Sequence, residues 1–257
     1  MSSDELLVTR GGDGISVVTL NRPASLNAIT MSLQERLDDV ISTVENDGYT
    51  RCLVVKGAGG RAFSSGYDLH EMAAWSADDL LLRLLERERW VWHFATASVP
   101  IVVALGGVAY GAGAILASAA DIRVGSTETR IKFTAAAYGG ANATWTLPAL
   151  VGRGAAAELL LTARTVHAEE AEAMGLLNRV VDPDTLDDAS TELAEQIAAN
   201  PAAGTRAIKR LLREHSGRSV EDCFVTENLL MRTDLRPEPI VETYVGGNGS
   251  FRPSASL

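Results

Sequence analysis

The sequence predicts an α/β or α+β fold, and three features of the chain support this prediction. Short β-branched and apolar runs alternate with longer amphipathic segments, as in folds whose helices cover a mainly parallel sheet. At two places an apolar run passes through glycines into a helical pattern. The chain of 257 residues is long enough to bury a sizeable core, and it contains no internal repeat or flexible linker.

The first half of the chain predicts two strands and two helices. Residues 15–20 (ISVVTL) and 52–55 read as strands, the first of which ends at an Asn-Arg-Pro sequence. Between them, Ser32 with Glu35 three residues later is a capping-box pattern, so we predict that a helix begins at this point. Residues 78–97 form the second helical segment.

The stretch from 99 to 121 (VPIVVALGGVAYGAGAILASAAD) organises the rest of the chain. Residues 101–105 predict a strand buried on both faces, and residues 112–120 predict a helix rich in small side chains. The glycines connect this strand to the N-terminus of the helix, where free backbone N–H groups can hold an anion or a polarised oxygen. The alternative is that these glycines only allow a tight connection.

The second half becomes increasingly helical. Residues 122–125 and 130–133 predict short strands, and residues 134–154 are expected to be irregular. Helices are predicted at 155–162 and at 168–174, the latter closed by Gly175 at its C′ position. A brief strand at 180–181 precedes three helices, which run to about residue 199, from 202 to 215 and from 220 to 231.

The bulk properties narrow the range of partners. A net charge of −10 and a pI near 4.9 argue against a nucleic-acid partner. We expect no metal site, because the histidines lack metal-ligand spacing, and we expect no membrane partner, because no leader or apolar span is present. Cys52 and Cys223 are far apart and read as free thiols, so a reducing, cytoplasmic location is expected.

Four motifs together resemble the crotonase family, which includes enoyl-CoA hydratases and isomerases. They are VVTLNRPASLNAI, RAFSSGYDL, VPIVVALGGVAYGAGAILASAADIRVG and LVGRGAAAELLLTARTVHAEEAEAMGLLNRVV, and the resemblance covers nearly the whole chain. The resemblance implies a spiral of ββα units at 1–200 that holds an acyl-CoA site. It also implies a helical oligomerisation region at 201–257, a homotrimer or hexamer, and no cofactor beyond the coenzyme A of the substrate.

The resemblance also implies the positions of the site residues. The backbone N–H groups of Tyr67 and Ala112 would form an oxyanion hole for the thioester oxygen, which suits a reaction that develops an enolate. Asp68 is expected to brace its loop as a helix cap rather than to react. The positions expected to contact the coenzyme are Ser25, Leu26, Ala28, Ser65, Gly66, Asp68, Leu69 and Gly111.

The sequence departs from the resemblance at two catalytic positions. Hydratases of the family use two glutamates, whose matching positions here are Ile115 and Ala135, and neither of these side chains can carry a proton. Tyr67, Tyr138 and Asn142 are candidate substitutes, although tyrosines in clefts often serve as walls and an amide can only orient a ligand.

Two functions remain open at this point, beside a third, an assembly protein whose trimer surface is its function, which nothing in the sequence selects. The first is an enzyme of acyl-CoA or fatty acid metabolism, a lyase or isomerase that stabilises a thioester enolate and performs another reaction, such as decarboxylation or isomerisation. The alternative is a non-catalytic acyl-CoA-binding protein, which the apolar residues at the two glutamate positions favour. The fold alone does not decide between them.

Overall fold

The computed structural model describes residues 4–11 and 14–235, apart from the side chains of Ala77, Leu80, Leu81 and Leu84. The glycine-rich C-terminal tail, which belongs to the predicted region 201–257, lies outside the described residues. The chain divides into two compact units, residues 1–206 and residues 207–257.

A six-stranded sheet forms the base of the first unit. Its strand order is β1-β2-β3-β5-β7-β10, and all neighbours are parallel except the β1–β2 pair. The central strands are buried along almost their whole length, which explains why their sequences are continuous apolar runs rather than alternating ones. The strands are β1 Leu6–Arg10, β2 Ile15–Leu20, β3 Cys52–Gly57, β5 Ile101–Leu105, β7 Ile122–Ser126 and β10 Arg179–Val181.

A second sheet consists of four short strands. Its order is β4-β6-β8-β9, parallel except between β8 and β9. Along the chain, β3 is followed by β4 and then by helix α2, and β5 is followed by β6 and then by helix α4. These strands are β4 Ala62–Ser64, β6 Val108–Tyr110, β8 Arg130–Lys132 and β9 Val166–His167.

Helices cover both sheets, and the mixed α/β class predicted from the sequence is confirmed. The main core packs α1, α3 and α4 between the sheets, and a smaller core packs α7 on the opposite face of the first sheet. The helices of the first unit are α1 Met31–Asn46, α2 Leu69–Ala73, α3 Ala77–Thr96, α4 Ala112–Ala119, α5 Leu147–Thr162, α6 Ala168–Ala173 and α7 Leu186–Ala198.

The helix α8, Ala202–Glu214, crosses the boundary between the units, and α9 spans Val220–Thr233. Within the second unit, Ala207, Leu211 and Leu230 form a small core. Several large apolar side chains of these helices are exposed, among them Leu212 and Phe224. A membrane-spanning helix is not found among the described residues, because none of their helices combines the length and the apolar composition that a span requires.

Three local predictions were wrong. The cap of α1 is Thr30, whose side chain accepts the Leu33 N–H, so the capping-box prediction at Ser32 was two residues late. The glycine-rich turn at 106–111 contains a strand, β6, because its backbone pairs with β4 and β8. The segment 134–154, expected to be irregular, becomes helical at Leu147, with a break at Gly152 where φ is 76°.

A histidine lies between two carboxylates beside α1. His93 Nδ1 is 2.6 Å from Asp38 Oδ1, and its Nε2 is 3.1 Å from Glu45 Oε2. Because both ring nitrogens face carboxylates, the doubly protonated imidazolium fits this environment best. Burial opposes the shift, but the two hydrogen bonds raise the pKa of His93 above its ordinary value.

Candidate active site

Two stretches of backbone meet at the start of α4. A Cβ added to Gly66 would lie 2.9 Å from the Tyr110 carbonyl oxygen and 3.2 Å from the Ala112 nitrogen. A Cβ added to Gly113 would lie 2.9 Å from Ser64 Cβ and closer still to the Ser64 carbonyl oxygen. Only glycine permits this approach, so the loop after β4 and the first turn of α4 are held in direct backbone contact.

The N–H of Tyr67 has no backbone acceptor in the described parts of the chain. Its neighbours pair with Ile29, since Ile29 N donates to Gly66 O (2.8 Å) and Asp68 N donates to Ile29 O (2.9 Å). In a parallel bridge of this kind, the N–H of the residue between the two bonds points to the opposite side. The Tyr67 N–H is therefore directed away from Ile29 and is available to a ligand.

Ala112 supplies a second N–H of the same kind. It is the first residue of α4, where backbone N–H groups lack intrahelical acceptors, and the preceding Gly111 gives no side-chain cap. The Ile115 N–H is the first to find a partner within the helix, on Gly111 O (3.0 Å). Ala112 is 4% exposed, so its N–H is shielded from bulk water, which strengthens any hydrogen bond that it makes.

A cavity of about 740 Å³ opens beside these groups. Tyr67 and Ile115 line it on one side, and the segment from Gly140 to Trp145 lines it on another. Trp92 and Trp145 are half-exposed, with ring centroids 5.6 Å apart, and form an aromatic pair on the cavity wall. The lining is largely apolar, as expected for a pocket that takes an acyl or aromatic group.

The structure brings most of the predicted chemical positions into this one cavity. Ile115, Ala135 and Asn142 all line it together with Tyr67. The side-chain oxygen of Asn142 is buried and finds no hydrogen-bond partner among the described residues. Tyr138 lies elsewhere: it is 76% exposed and does not line the cavity, because it sits at the outer end of a short 3₁₀ helix, Ala135–Tyr138.

Apart from Gly111, which directly precedes α4, the predicted coenzyme-contacting positions lie on two segments that are joined by hydrogen bonds. Ser65 N donates to Leu26 O (2.9 Å), and Leu26 itself adopts a left-handed φ of 50°. Arg22 Nη1 donates to Ala28 O (2.6 Å), which fixes the far side of the first loop. Ser25, Leu26 and Ala28 are thus placed beside Ser65 and Gly66, while Leu69 is 64% exposed at the start of α2.

Asp68 braces this region, as predicted. Its carboxylate caps α2 by accepting the His70 and Glu71 N–H groups and forms a 3.0 Å ion pair with Arg22. Partial burial opposes the shift, but these hydrogen bonds lower the pKa of Asp68 below its ordinary value. The lowered pKa favours the ionised form of Asp68, whose carboxylate oxygens accept hydrogen bonds from the α2 cap and from Arg22.

The side chain of Tyr67 is a partly buried, neutral phenol. Trp90 Nε1 donates to its hydroxyl oxygen at 3.3 Å. Burial raises the pKa of Tyr67, opposed by the Trp90 hydrogen bond and the charge of Arg87. The phenol stays protonated near neutral pH and can still donate its own proton in a hydrogen bond.

Helix α3 contributes cavity residues that the sequence analysis did not identify. Arg87, Glu88 and Trp92 line the cavity, and Arg87 is almost completely buried. A signal for Arg87 was present: it lies three and four residues before the buried Trp90 and Val91, which places it on the core-facing side of the helix.

No metal centre is apparent in the described residues, where no group of three or more His, Cys, Asp or Glu side chains could hold an ion. Both cysteines are free, and Cys52 is buried in β3.

Comparison with known proteins gives a consistent result. The family model described as Enoyl-CoA hydratase/isomerase matches residues 10–234. The chain is 33% identical to a 1,2-epoxyphenylacetyl-CoA isomerase of Escherichia coli over 81% of this chain and 82% of the relative. It is 29% identical to a short-chain-enoyl-CoA hydratase of Clostridium acetobutylicum over 83% and 87%. A crystal structure of an enoyl-CoA hydratase from Bacillus anthracis superimposes with a TM-score of 0.86 at 26% identity, covering 89% of this chain and 90% of the other.

Proposed function

This chain belongs to the enoyl-CoA hydratase/isomerase family, and from that premise we propose that it binds an acyl-CoA thioester and stabilises the enolate formed from it. The observation that carries the proposal is that the Tyr67 and Ala112 N–H groups lack backbone acceptors among the described residues and belong to two backbone stretches in direct contact, beside an apolar cavity. Two backbone donors aimed at one oxygen stabilise negative charge where it develops.

The reaction differs from standard hydration. Adding water to an enoyl group needs a base for the water and an acid for the α-carbon. Ile115 and Ala135, the positions that match the family's two glutamates, line the cavity with groups that cannot ionise. The relatives include both a hydratase and an isomerase, so family membership is compatible with a different reaction at the same oxyanion hole.

The groups available for proton transfer are few. Among the described residues that line the cavity, Glu88 is the one carboxylate, and it is exposed at the rim. Asn142 can orient an acyl group through its unpartnered side-chain oxygen but cannot carry a proton. Decarboxylation needs fewer proton-transfer groups than hydration. The departing CO2 leaves its bonding electron pair on the enolate, and a single proton then reaches the α-carbon.

The carbonyl stretch of a bound thioester tests the oxyanion hole directly. Butanoyl-CoA labelled with carbon-13 at the carbonyl would be studied by isotope-edited infrared difference spectroscopy, with calorimetry to establish saturation. Two strong donors lengthen the C=O bond, so the band should move to lower frequency on binding. A bound thioester with an unshifted band would contradict the proposed oxyanion hole.

A non-catalytic acyl-CoA-binding protein is the second candidate. The apolar residues at positions 115 and 135 favour it, because they suit an acyl chain better than a water molecule. A turnover assay distinguishes the two candidates. An enzyme converts at least one of crotonyl-CoA, longer enoyl-CoAs or methylmalonyl-CoA, whereas a binding protein leaves all of them unchanged. We further propose that the protein acts in the cytoplasm as a trimer or hexamer.

A further inference from the structure

The cavity contains a buried cation that the proposed function does not use. Arg87 is 5% exposed and lines the cavity, and its Nε has no hydrogen-bond partner among the described residues. No ion pair joins Arg87 to a carboxylate in the described parts of the chain. A guanidinium has five N–H donors and stays protonated in proteins, so this arrangement leaves a buried donor atom of a charged group without an acceptor among the described residues.

The contacts that Arg87 does make are to aromatic faces. Its guanidinium carbon lies 3.4 Å from the centroid of the Tyr67 ring and 4.9 Å from that of Trp75. Such stacking is favourable and fixes the plane of the guanidinium. A ring face offers little to the N–H groups at the edge of that plane, which remain free to bind a planar oxyanion in bidentate fashion.

The nearby carboxylates do not fill this position. Glu71 contributes charge near Arg87, but its Oε2 accepts the Met31 N–H at 2.9 Å. Glu88 is the next residue of the helix and therefore projects about 100° away around the axis. Arg87 thus forms no direct ion pair with the described residues, and Glu71 acts on it only at longer range, so an anionic ligand that enters the cavity would relieve the cost of burying this cation.

We propose that Arg87 binds a carboxylate carried by the acyl group, so that the ligands of this cavity are coenzyme A thioesters of short dicarboxylic acids. The inference rests on the proposed function, because it takes the thioester oxygen to lie at the Tyr67 and Ala112 N–H groups. Arg87 covers the ring of Tyr67 itself. The distance from thioester to guanidinium is therefore about one tyrosine side chain, which fits an acyl group of a few carbons.

Affinity measurements on the unmodified protein give the first test. Calorimetry would compare glutaryl-CoA with pentanoyl-CoA, which has the same number of acyl carbons, and with the neutral methyl ester of glutaryl-CoA. A charged hydrogen-bonded pair predicts that glutaryl-CoA binds about tenfold to a hundredfold more tightly than either neutral compound. Malonyl-CoA and succinyl-CoA then locate the optimal chain length.

Two variants assign the effect to Arg87. Arg87→Gln should remove the preference for glutaryl-CoA while leaving pentanoyl-CoA binding within a fewfold of the original. Arg83→Gln is the matched control, because Arg83 also stacks on Trp75 (5.1 Å) but does not line the cavity, and it should preserve the preference.

The outcomes separate the two proposals. Equal binding of glutaryl-CoA and pentanoyl-CoA to the unmodified protein would overturn the role of Arg87 and leave the oxyanion hole standing. Failure to bind any acyl-CoA would overturn both. If Arg87→Gln does not fold, the comparison of charged and neutral ligands on the unmodified protein still decides the question.

Discussion

Replacing Gly113 with alanine should disturb the proposed oxyanion hole through the backbone alone. The added Cβ would lie 2.9 Å from Ser64 Cβ and 3.1 Å from the Ser64 carbonyl carbon, whereas ordinary contacts begin at 3.4 Å. The Ser64 carbonyl oxygen lies closer still, so Ser64 must withdraw by at least about 0.5 Å, and by about 1 Å to restore an ordinary contact with that oxygen. Its hydroxyl accepts the Gly66 N–H at 3.1 Å, so the displacement reaches the loop that carries Tyr67.

The size of the effect follows from hydrogen-bond geometry. A donor at about 2.9 Å from the thioester oxygen moves to about 3.4 Å, where a hydrogen bond is weak. The loss is about 1 to 2 kcal/mol in the ground state, or about tenfold in affinity, and up to about a hundredfold in the rate of any enolate-forming step. Overpacking also costs about 1 to 3 kcal/mol of stability.

Infrared spectroscopy of bound, carbon-13-labelled butanoyl-CoA measures the predicted displacement directly. The carbonyl band of Gly113→Ala should lie closer to that of the free ligand than the band of the unmodified protein. Gly154→Ala in α5 is the matched control, since its added Cβ meets nothing within 4 Å. An unchanged band in a folded, saturated Gly113→Ala variant would refute the assignment of the Tyr67 and Ala112 N–H groups.

Three further results are expected. The double variant Ile115→Glu with Ala135→Glu should gain measurable hydration of crotonyl-CoA, followed by the loss of absorbance of the conjugated thioester. A double variant that folds and binds the ligand but does not turn it over would contradict the assignment of these two positions to the glutamates. Asp68→Ala should lower the free energy of unfolding in urea by about 1 to 2 kcal/mol, because it removes a helix cap and an ion pair, and Asp68→Asn should cost less because it keeps the cap. The His93 pKa is raised by its two carboxylate partners against the effect of burial, so its stabilisation is complete below pH 6 or so and is lost as pH rises through the folded-state pKa. The unmodified protein should therefore exceed His93→Gln in stability by more at pH 5.5 than at pH 8.5, and a difference independent of pH would contradict the imidazolium.

The strands β2, β3, β5 and β7 and the positions of the two glycine-containing turns were predictable because their signals are local, whereas the short strand β6 within the second turn forms through pairing with β4 and β8. The run at 101–105 is buried on both faces and reads as continuous apolar sequence, and Gly175 closes α6 with a φ of 83° as its position indicated. The cap of α1 was misplaced because Ser32 and Thr30 are both acceptable capping residues. Tertiary contacts decide between them: Glu71, from another helix, accepts the Met31 N–H and fixes where the helix begins.

The composition of the cavity was only partly predictable. Motif resemblance located Ile115, Ala135 and Asn142, which the fold brings together from separate segments. Arg87 was missed because no motif contains it and because an arginine on an amphipathic helix is usually exposed. Arg87 is buried because α3 packs beside the cavity, which is a long-range feature of the fold. Sequence periodicity indicates this burial only when Trp90 and Val91 are already known to face inward.

The aromatic residues around the cavity have a practical consequence. The chain contains four tryptophans, at positions 75, 90, 92 and 145. Two of them line the cavity as a pair, one holds the Tyr67 hydroxyl and one stacks beside the buried guanidinium. All of the indole fluorescence of this protein therefore originates at or next to the proposed ligand site. Emission intensity and wavelength will report occupancy and local polarity there without any attached dye.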